Sequence, residues 1–275
     1  MLPEVNNMHV QGYLPDPPDD RDVGFEKVRL TIQDLGLTAP AADEYQIPRF
    51  VPVRNQTTLG SCVAWTFTDI SEILLGIEMT KGLDATTNPI VPKLSAMFLY
   101  WCCRSAMGKI NEDTGTYLRL AARQLRNVGI CPEETWPYDV EKFREDPGLE
   151  ARTIASDNRL DSFYAINSTG NDRLNDIDLA LNANHPVAFG TTVGSNFRNP
   201  SPDTVVDIPS DSIGGHAMSI VGRRRRANGK REYLWLNHWS SEWALNGTVW
   251  VTEEYVMSSK TNDLWMGTRA KELVL

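Results

Sequence analysis

Cys62 stands in the run Arg54-Asn55-Gln56-Thr57-Thr58-Leu59-Gly60-Ser61-Cys62-Val63-Ala64-Trp65, six residues after Gln56. A thiol reacts as its thiolate, and a free cysteine is mostly protonated at neutral pH. Backbone N–H groups at a helix start lower that pKa, and a neighbouring imidazolium lowers it further. The residues after Cys62 read as a helix that the cysteine opens. Gly214-Gly215-His216-Ala217 and Asn237-His238-Trp239 follow much later. Cysteine, histidine and asparagine in this order can supply a thiolate nucleophile, its base and the group that orients the base. Taken alone, Cys62 fits a buried structural cysteine better, the commoner fate of a free thiol. The Gly60-Ser61 lead-in and Gln56 shift the balance toward chemistry. Four histidines compete for the role of base. His9 lies in an N-terminal arm, His185 precedes a proline, and His238 adjoins the asparagine. His216 follows two glycines at the head of the apolar run Ala217-Met218-Ser219-Ile220-Val221, where backbone or substrate can approach closely.

The elements that must position these groups fall into two halves. Residues 1–24 are rich in Pro and Asp around Leu14-Pro15-Asp16-Pro17-Pro18-Asp19-Asp20-Arg21-Asp22 and read as an extended arm. A short helix is expected over 25–35 and extended chain over 45–53. Ala64, Trp65, Phe67, Ile70, Ile73, Leu74 and Ile77 recur at helical spacing, with Ser61 as a candidate cap. Further helices are expected over 94–107, over 116–128 with Gly129 as the stop, over 140–156 and over 175–184. Trp136-Pro137-Tyr138 reads as a loop. Strands are expected over 159–166, 186–193, 216–222, 232–239, 248–252 and 264–273, with Ala227-Asn228-Gly229-Lys230 as a hairpin turn. Helices first and antiparallel strands second make an α+β architecture of two lobes. The expected divisions are an arm and strap over 1–45, a helical lobe with the nucleophile over 46–157, and a β-rich lobe with His216 and Asn237 over 158–275.

A chain of 275 residues with 41% hydrophobic and 23% charged residues can bury a large core. Its net charge of −9 argues against a nucleic-acid partner. No apolar run is long enough to cross a bilayer, so no membrane role is expected. The first residues lack a basic start and an apolar stretch, so no signal peptide is read. Four cysteines in this length make no disulfide scaffold. A cytoplasmic or other reducing compartment fits best, with signal-independent export left open. Cys102-Cys103 have no second cysteine pair at ligand spacing, so neither a metal nor a cofactor is expected. Arg223 to Arg226 form a basic block on an acidic chain, read as a solvated loop or as a docking patch for an acidic partner.

These residues resemble the papain-like cysteine peptidases. The resemblance rests on Gln56 through Trp65, on Gly215-His216-Ala217 with Val221-Gly222, and on Asn237-x-Trp239-x-x-x-Trp243 before Asn246-Gly247. Smaller echoes are Leu94-Ser95, Asp113-Thr114-Gly115, Gly129 to Glu134 and Trp136-Pro137-Tyr138. The arm from Gly12 to Asp22 is similar to the N-terminal signature of the bacterial and phage-type branch. The resemblance covers nearly the whole chain. It implies a two-lobed fold, with Cys62 heading the central helix of a helical lobe. His216 and Asn237 would face it from a β-barrel-like lobe of antiparallel strands.

The activity it implies is peptide-bond cleavage through a covalent acyl-enzyme. His216 would hold Cys62 as a thiolate–imidazolium pair, Asn237 would orient the imidazole, and Gln56 with the Cys62 N–H would form the oxyanion hole. Trp239 would shield the His–Asn bond, and Gly115, Gly215 and Trp239 would border the protein or peptide substrate. A bulky apolar side chain beside the scissile residue is the expected preference.

Leu59, Val63, Trp65 and His238 depart from the family pattern. Leu59 removes a disulfide, and His238 reads as a solvated surface residue. The arm either crosses the cleft or straps the surface. Two other functions stand beside the peptidase: a thiol acyltransferase (a peptide ligase or transamidase) on the same triad, and a catalytically silent binding or structural protein.

Overall fold

The computed structural model describes residues 12–34, 43–81 and 88–269. His9 and the end of the last expected strand lie outside the described residues.

The arm enters as a two-residue strand, β1 (Tyr13–Leu14), before α1 (Glu26–Asp34) and β2 (Glu44–Gln46). The long helix α2 (Cys62–Thr80) follows. Its apolar residues Ala64, Trp65, Phe67, Ile70, Ile73 and Leu74 are all buried, as a helix enclosed on most sides requires. Ser61 precedes the helix without capping it. Its hydroxyl instead meets the Tyr138 hydroxyl at 2.6 Å. Ser95, by contrast, caps α3 (Ala96–Ala106) by accepting the Phe98 N–H at 3.0 Å.

The expected helix over 116–128 begins two residues late. Thr116 and Tyr117 form β3 (Thr116–Tyr117), which pairs parallel with β1 in the arm. The distant pairing wins over local helical pattern because the Thr116 N–H finds the Gly12 carbonyl at 3.0 Å. The helix proper is α4 (Leu118–Asn127), closed at Gly129 in the left-handed region, φ +93°. The expected helix over 140–156 is split. Pro147 interrupts it, leaving one tight turn at Val140–Lys142 and then α5 (Gly148–Ala155).

The second half carries β4 (Ser162–Ala165), α6 (Gly170–Asn182), β5 (Val187–Val193), β6 (Val205–Val206), β7 (Gly214–Arg225), β8 (Arg231–Leu236), β9 (Thr248–Thr252), α7 (Glu253–Met257) and β10 (Thr261–Thr268). The strands form one sheet in the order β4-β10-β5-β7-β8-β9-β6, with β2 added alongside β7. Among the described residues this order is open, so the barrel-like expectation is corrected to an open, mixed sheet. Most of its pairs are antiparallel, and the short β6 runs parallel to β9. The five-residue α7 was not foreseen; Thr252 caps it.

Two apolar cores lie on the two faces of the sheet. One gathers Val187, Phe189, Met218, Ile220 and Trp235 with Leu174 and Ile177 of α6 and with Phe25, Val28 and Ile32. The strap helix α1 therefore belongs to the sheet's core. The other core gathers α2, α3 and α4 against Ala165, Ala188, Ala217 and Trp265. Alternation along the strands turns these alanines to the same face. Their small side chains let the helix carrying Cys62 approach the strand carrying His216.

Candidate active site

Cys62 is fully buried at the first position of α2. The backbone N–H groups of Ala217, Val63, Gly12 and Cys62 itself face its sulfur and favour the thiolate. The Ala217 contact sets the thiol beside the residue that follows His216. The Val63 and Cys62 donors are first-turn N–H groups that have no partner within the helix.

His216 lies on β7 opposite Thr191 of β5, also fully buried. Its Nε2 is 2.9 Å from Asn237 Oδ1. That oxygen also accepts the His238 backbone N–H at 2.9 Å, which fixes the amide orientation. His216 Nε2 therefore carries the hydrogen and donates it. Nδ1 is left with its lone pair and has no hydrogen-bond partner among the described residues. Asn237 is itself held by donating its N–H to the Gly247 carbonyl at 2.9 Å. Gly247 is in the left-handed region, φ +81°, and a Cβ there would stand 2.6 Å from a Val53 methyl.

Aromatic rings close over this bond. The Trp239 ring centroid is 4.8 Å from His216, and Trp243 is 5.7 Å from Trp239. Trp239 thus packs against His216. His238 is also buried, which corrects its reading as a surface residue. Its Nε2 lies 3.0 Å from the Ala217 carbonyl, and its ring centroid 5.0 Å from that of His216. An edge contact with Asn55-Gln56 draws this stretch inward: the Gln56 N–H donates to the His238 carbonyl at 2.9 Å.

Gln56 is buried, and its Nε2 donates to the Leu59 carbonyl at 3.0 Å. Tyr138 donates to the Gln56 carbonyl at 2.7 Å while meeting the Ser61 hydroxyl. One phenol therefore ties Gln56 to the residue before Cys62. In sequence Tyr138 reads as loop, marked only by its place in Trp136-Pro137-Tyr138. Asp113 was likewise seen only as an echo. It accepts the Gly60 N–H at 2.9 Å and the Tyr100 hydroxyl.

The arm lies in this site. A Cβ added to Gly12 would stand 2.8 Å from the Cys62 sulfur and 2.3 Å from the Gly60 carbonyl oxygen. A Cβ on Gly115 would stand 2.3 Å from the Gly12 oxygen. Glycine at 12 and 115 is what permits this approach. The Tyr13 ring covers Gly190, and the Tyr13 carbonyl oxygen faces Gly215. Asp16 anchors the next turn, accepting Trp265 Nε1 at 2.8 Å and the Arg119 N–H at 3.1 Å. Arg119 also binds Asp22 and the Pro17 carbonyl, each at 2.6 Å. Gly115 and Gly215 thus meet the arm, which crosses Cys62 and is no mere surface strap.

Burial sets the protonation of the covered pair. It pushes the Cys62 thiol up to about 12, against the pull of the four N–H donors. It pushes His216 down to about 4, against the hydrogen bond to Asn237. Both shifts favour the neutral form of each group while the arm is docked.

The basic block is largely neutralised within the chain. Arg224 and Arg226 both pair with Glu232, at 2.6 and 2.5 Å, and buried Arg223 faces Asp178. Among the described residues, no helix is long and apolar enough to cross a membrane, and no group of three or more His, Cys, Asp or Glu could hold a metal ion.

Comparison with known proteins fits this arrangement. An uncharacterized peptidase C1-like protein of Acanthamoeba polyphaga mimivirus is 28% identical, covering 93% of this chain and 85% of its own. Human cathepsin L2 is 23% identical, covering 85% of this chain and 67% of its own. Among solved structures, xylellain, a cysteine protease from Xylella fastidiosa, superposes with a TM-score of 0.75 at 21% identity, covering 95% of this chain and 97% of that one. A digestive procathepsin L2 of the Tenebrio molitor larval midgut gives 0.70 at 21% identity, covering 98% and 81%. The family model described as papain family cysteine protease matches residues 41–265, and the chain belongs to that family.

Proposed function

We propose that the chain is a cysteine endopeptidase whose reacting groups are Cys62, His216, Asn237 and Gln56. The observation that carries the reading is the tautomer of His216. Its Nε2–H is committed to Asn237, so the free lone pair is on Nδ1. The neighbouring sulfur lies in a ring of N–H donors suited to an anion. When the arm withdraws and water enters, the desolvation that keeps both groups neutral is lifted. The proton then moves from Cys62 to His216 Nδ1, giving a thiolate and an imidazolium.

The thiolate attacks a peptide carbonyl, and the oxyanion is met by the Cys62 N–H and by Gln56. Removing one such donor costs roughly 3–4 kcal/mol in comparable enzymes. Gln56 Nε2 donates to the Leu59 carbonyl at 3.0 Å, which holds the amide beside the start of α2. His216 returns its proton to the leaving amine and later activates water against the acyl-enzyme. Asn237 keeps the imidazole in one orientation throughout, and Trp239 covers their bond.

The docked arm is an inhibited state on this reading. Gly12 directs a backbone N–H at the sulfur, and its carbonyl is spent on Thr116.

Alkylation of Cys62 across pH, read by peptide mass spectrometry, tests the assignment. Once the arm is loosened, labelling well below pH 7 that disappears in His216→Ala supports the ion pair. Labelling only near the pKa of an ordinary thiol, roughly 8.5, and indifferent to His216, would end it. Product analysis with an added amine separates hydrolysis from acyl transfer.

A further inference from the structure

His238 grips three parts of the site at once. Its backbone N–H donates to Asn237 Oδ1 at 2.9 Å, and its carbonyl accepts the Gln56 N–H at 2.9 Å. Its side chain reaches β7, where Nε2 lies 3.0 Å from the Ala217 carbonyl. A carbonyl only accepts, so Nε2 carries the ring hydrogen and donates it. Nδ1 keeps its lone pair and has no hydrogen-bond partner among the described residues. The buried ring stacks on Trp65 of α2 at 6.5 Å between centroids and meets His216 edge-on at 5.0 Å. It therefore fills the space between the helix that Cys62 opens and the strand that carries His216.

The sheet does not hold this end of β7 by itself. Pairing of β7 with β8 starts at Ser219 opposite Leu236. His216 and Asn237 face each other beyond that first pair, where no ladder bond between the two strands fixes their separation. We propose that His238 is a positioning residue, whose ring clamps the end of β7 to the Asn237 turn and so keeps His216 Nε2 on Asn237 Oδ1. Its side-chain bond to Ala217 stands in for the ladder bond that the splayed strands lack. Through Ala217 it also steadies one of the N–H groups that face the Cys62 sulfur. Burial first, and then His216, push the His238 imidazole well below its ordinary range, which favours the neutral ring. A charge on it would stand 5.0 Å from the imidazolium of the proposed reaction.

The effect on rate rests on the peptidase reading, so the clamp is tested with and without turnover. Without turnover, the unaltered full chain is labelled with 15N-histidine. Its four histidines give a sparse spectrum, assigned by single substitutions, in which the nitrogen shifts report each tautomer. His216 and His238 are both expected as the Nε2–H tautomer, with protons that exchange slowly with water. An Nδ1–H tautomer at His238 overturns the clamp. His238→Leu keeps much of the volume without the donor. Exchange at the His216 Nε2–H should then quicken about tenfold, the scale of one hydrogen bond. An unchanged rate also overturns the clamp.

With turnover, the full chain carries Tyr13→Ala to loosen the arm. His238→Leu should lower kcat about tenfold and leave KM nearly as it was, the signature of an interaction made in the transition state. His238→Gln should recover most of that loss, because its amide N–H can reach the same carbonyl. Beside Asn237→Ala the clamp has nothing left to align, and His238→Leu should cost less than about twofold. A full tenfold cost there, or a Gln variant as slow as Leu, marks a ring that only supports the fold and overturns the proposal. If near-UV circular dichroism shows that His238→Leu does not fold, His238→Met takes its place in both readouts. No cleavage by any of these proteins, with tautomers and exchange as expected, would sink the peptidase reading and leave the clamp standing.

Discussion

The two walls of the cleft hold their reactive groups in opposite ways. On the helix wall, the Cys62 sulfur is surrounded by backbone N–H groups, three of them from the fixed body of the protein and one from the arm. On the sheet wall, His216 has one polar anchor, Asn237, and a cover of aromatic rings. The helix wall is arranged to stabilise charge, and the sheet wall to fix an orientation. Burial drives both groups toward neutrality from opposite directions, the thiol up to about 12 and the imidazole down to about 4. The charge-stabilising donors are therefore already in place, and what is missing in the docked state is solvation.

Changes to the proposed reacting groups are expected to have the largest effects. Cys62→Ala removes the proposed nucleophile and should take peptide cleavage below detection, with near-UV circular dichroism unchanged. His216→Ala should do the same and also return the Cys62 thiol toward roughly 8.5 in arm-loosened protein. Proteolysis retained by either variant contradicts the assignment. Asn237→Ala attacks only orientation. His216 would keep its place on β7 but could turn, and cleavage should drop about a hundredfold without vanishing, within the range of acid–base contributions. A loss as complete as that of Cys62→Ala would mean that the sheet wall supplies more than orientation.

Tyr13→Ala acts on the cover. It removes the ring over Gly190 and the hydrogen bond to Asp263. The arm should leave more often, and Cys62 should react with iodoacetamide at pH 7 faster by about tenfold or more, given the size of a charged hydrogen bond plus lost ring burial. An unchanged rate would mean that Gly12, not Tyr13, holds the arm on the sulfur.

Much of this arrangement is legible in the sequence, and, apart from the helix that Pro147 splits, the illegible parts named here share one cause. Cys62 at a helix start is readable because the apolar residues from Ala64 to Ile77 keep helical spacing. His216 on a strand is readable from the apolar run after it. Thr116 was expected inside a helix, because nothing nearby reveals that Gly12 will pair with it. Ser61 looks like a cap, but its hydroxyl goes to Tyr138, 77 residues away. His238 looks exposed beside a polar asparagine, but Gln56 bonds to its carbonyl from across the cleft. Each miss is a tertiary contact overriding a local preference. The arm's place on Cys62 is the largest such contact, and the sequence marks it only by the glycines at 12, 115 and 190.

The smallest expected effect is the pH dependence of the arm itself, because two groups oppose each other. His216 is lowered to about 4 by burial, so its contribution to docking is present above roughly 6.5 and lost as pH falls through about 4. Asp16 is raised to about 6, first by burial and then by Asp263. Its contribution has the opposite sign, full below about 3.8 and lost as pH rises through about 6. Between pH 6 and 4 acid loosens the arm through His216 and tightens it through Asp16. Docking should therefore change little over that window in the unaltered chain. Asp16→Asn keeps an oxygen for Trp265 Nε1 and the Arg119 N–H but no longer titrates. In that variant the opposing Asp16 contribution is gone, while His216 and the adjoining His238 are still lowered by burial, and acid should release the arm. The readout is deuterium exchange at the Thr116 amide, which donates to Gly12, corrected for intrinsic exchange. Protection that falls between pH 6 and 4 in Asp16→Asn but stays flat in the unaltered chain confirms the opposition. Parallel profiles would show that Asp16 does not sense the docked arm, and that the helix and sheet walls govern its release alone.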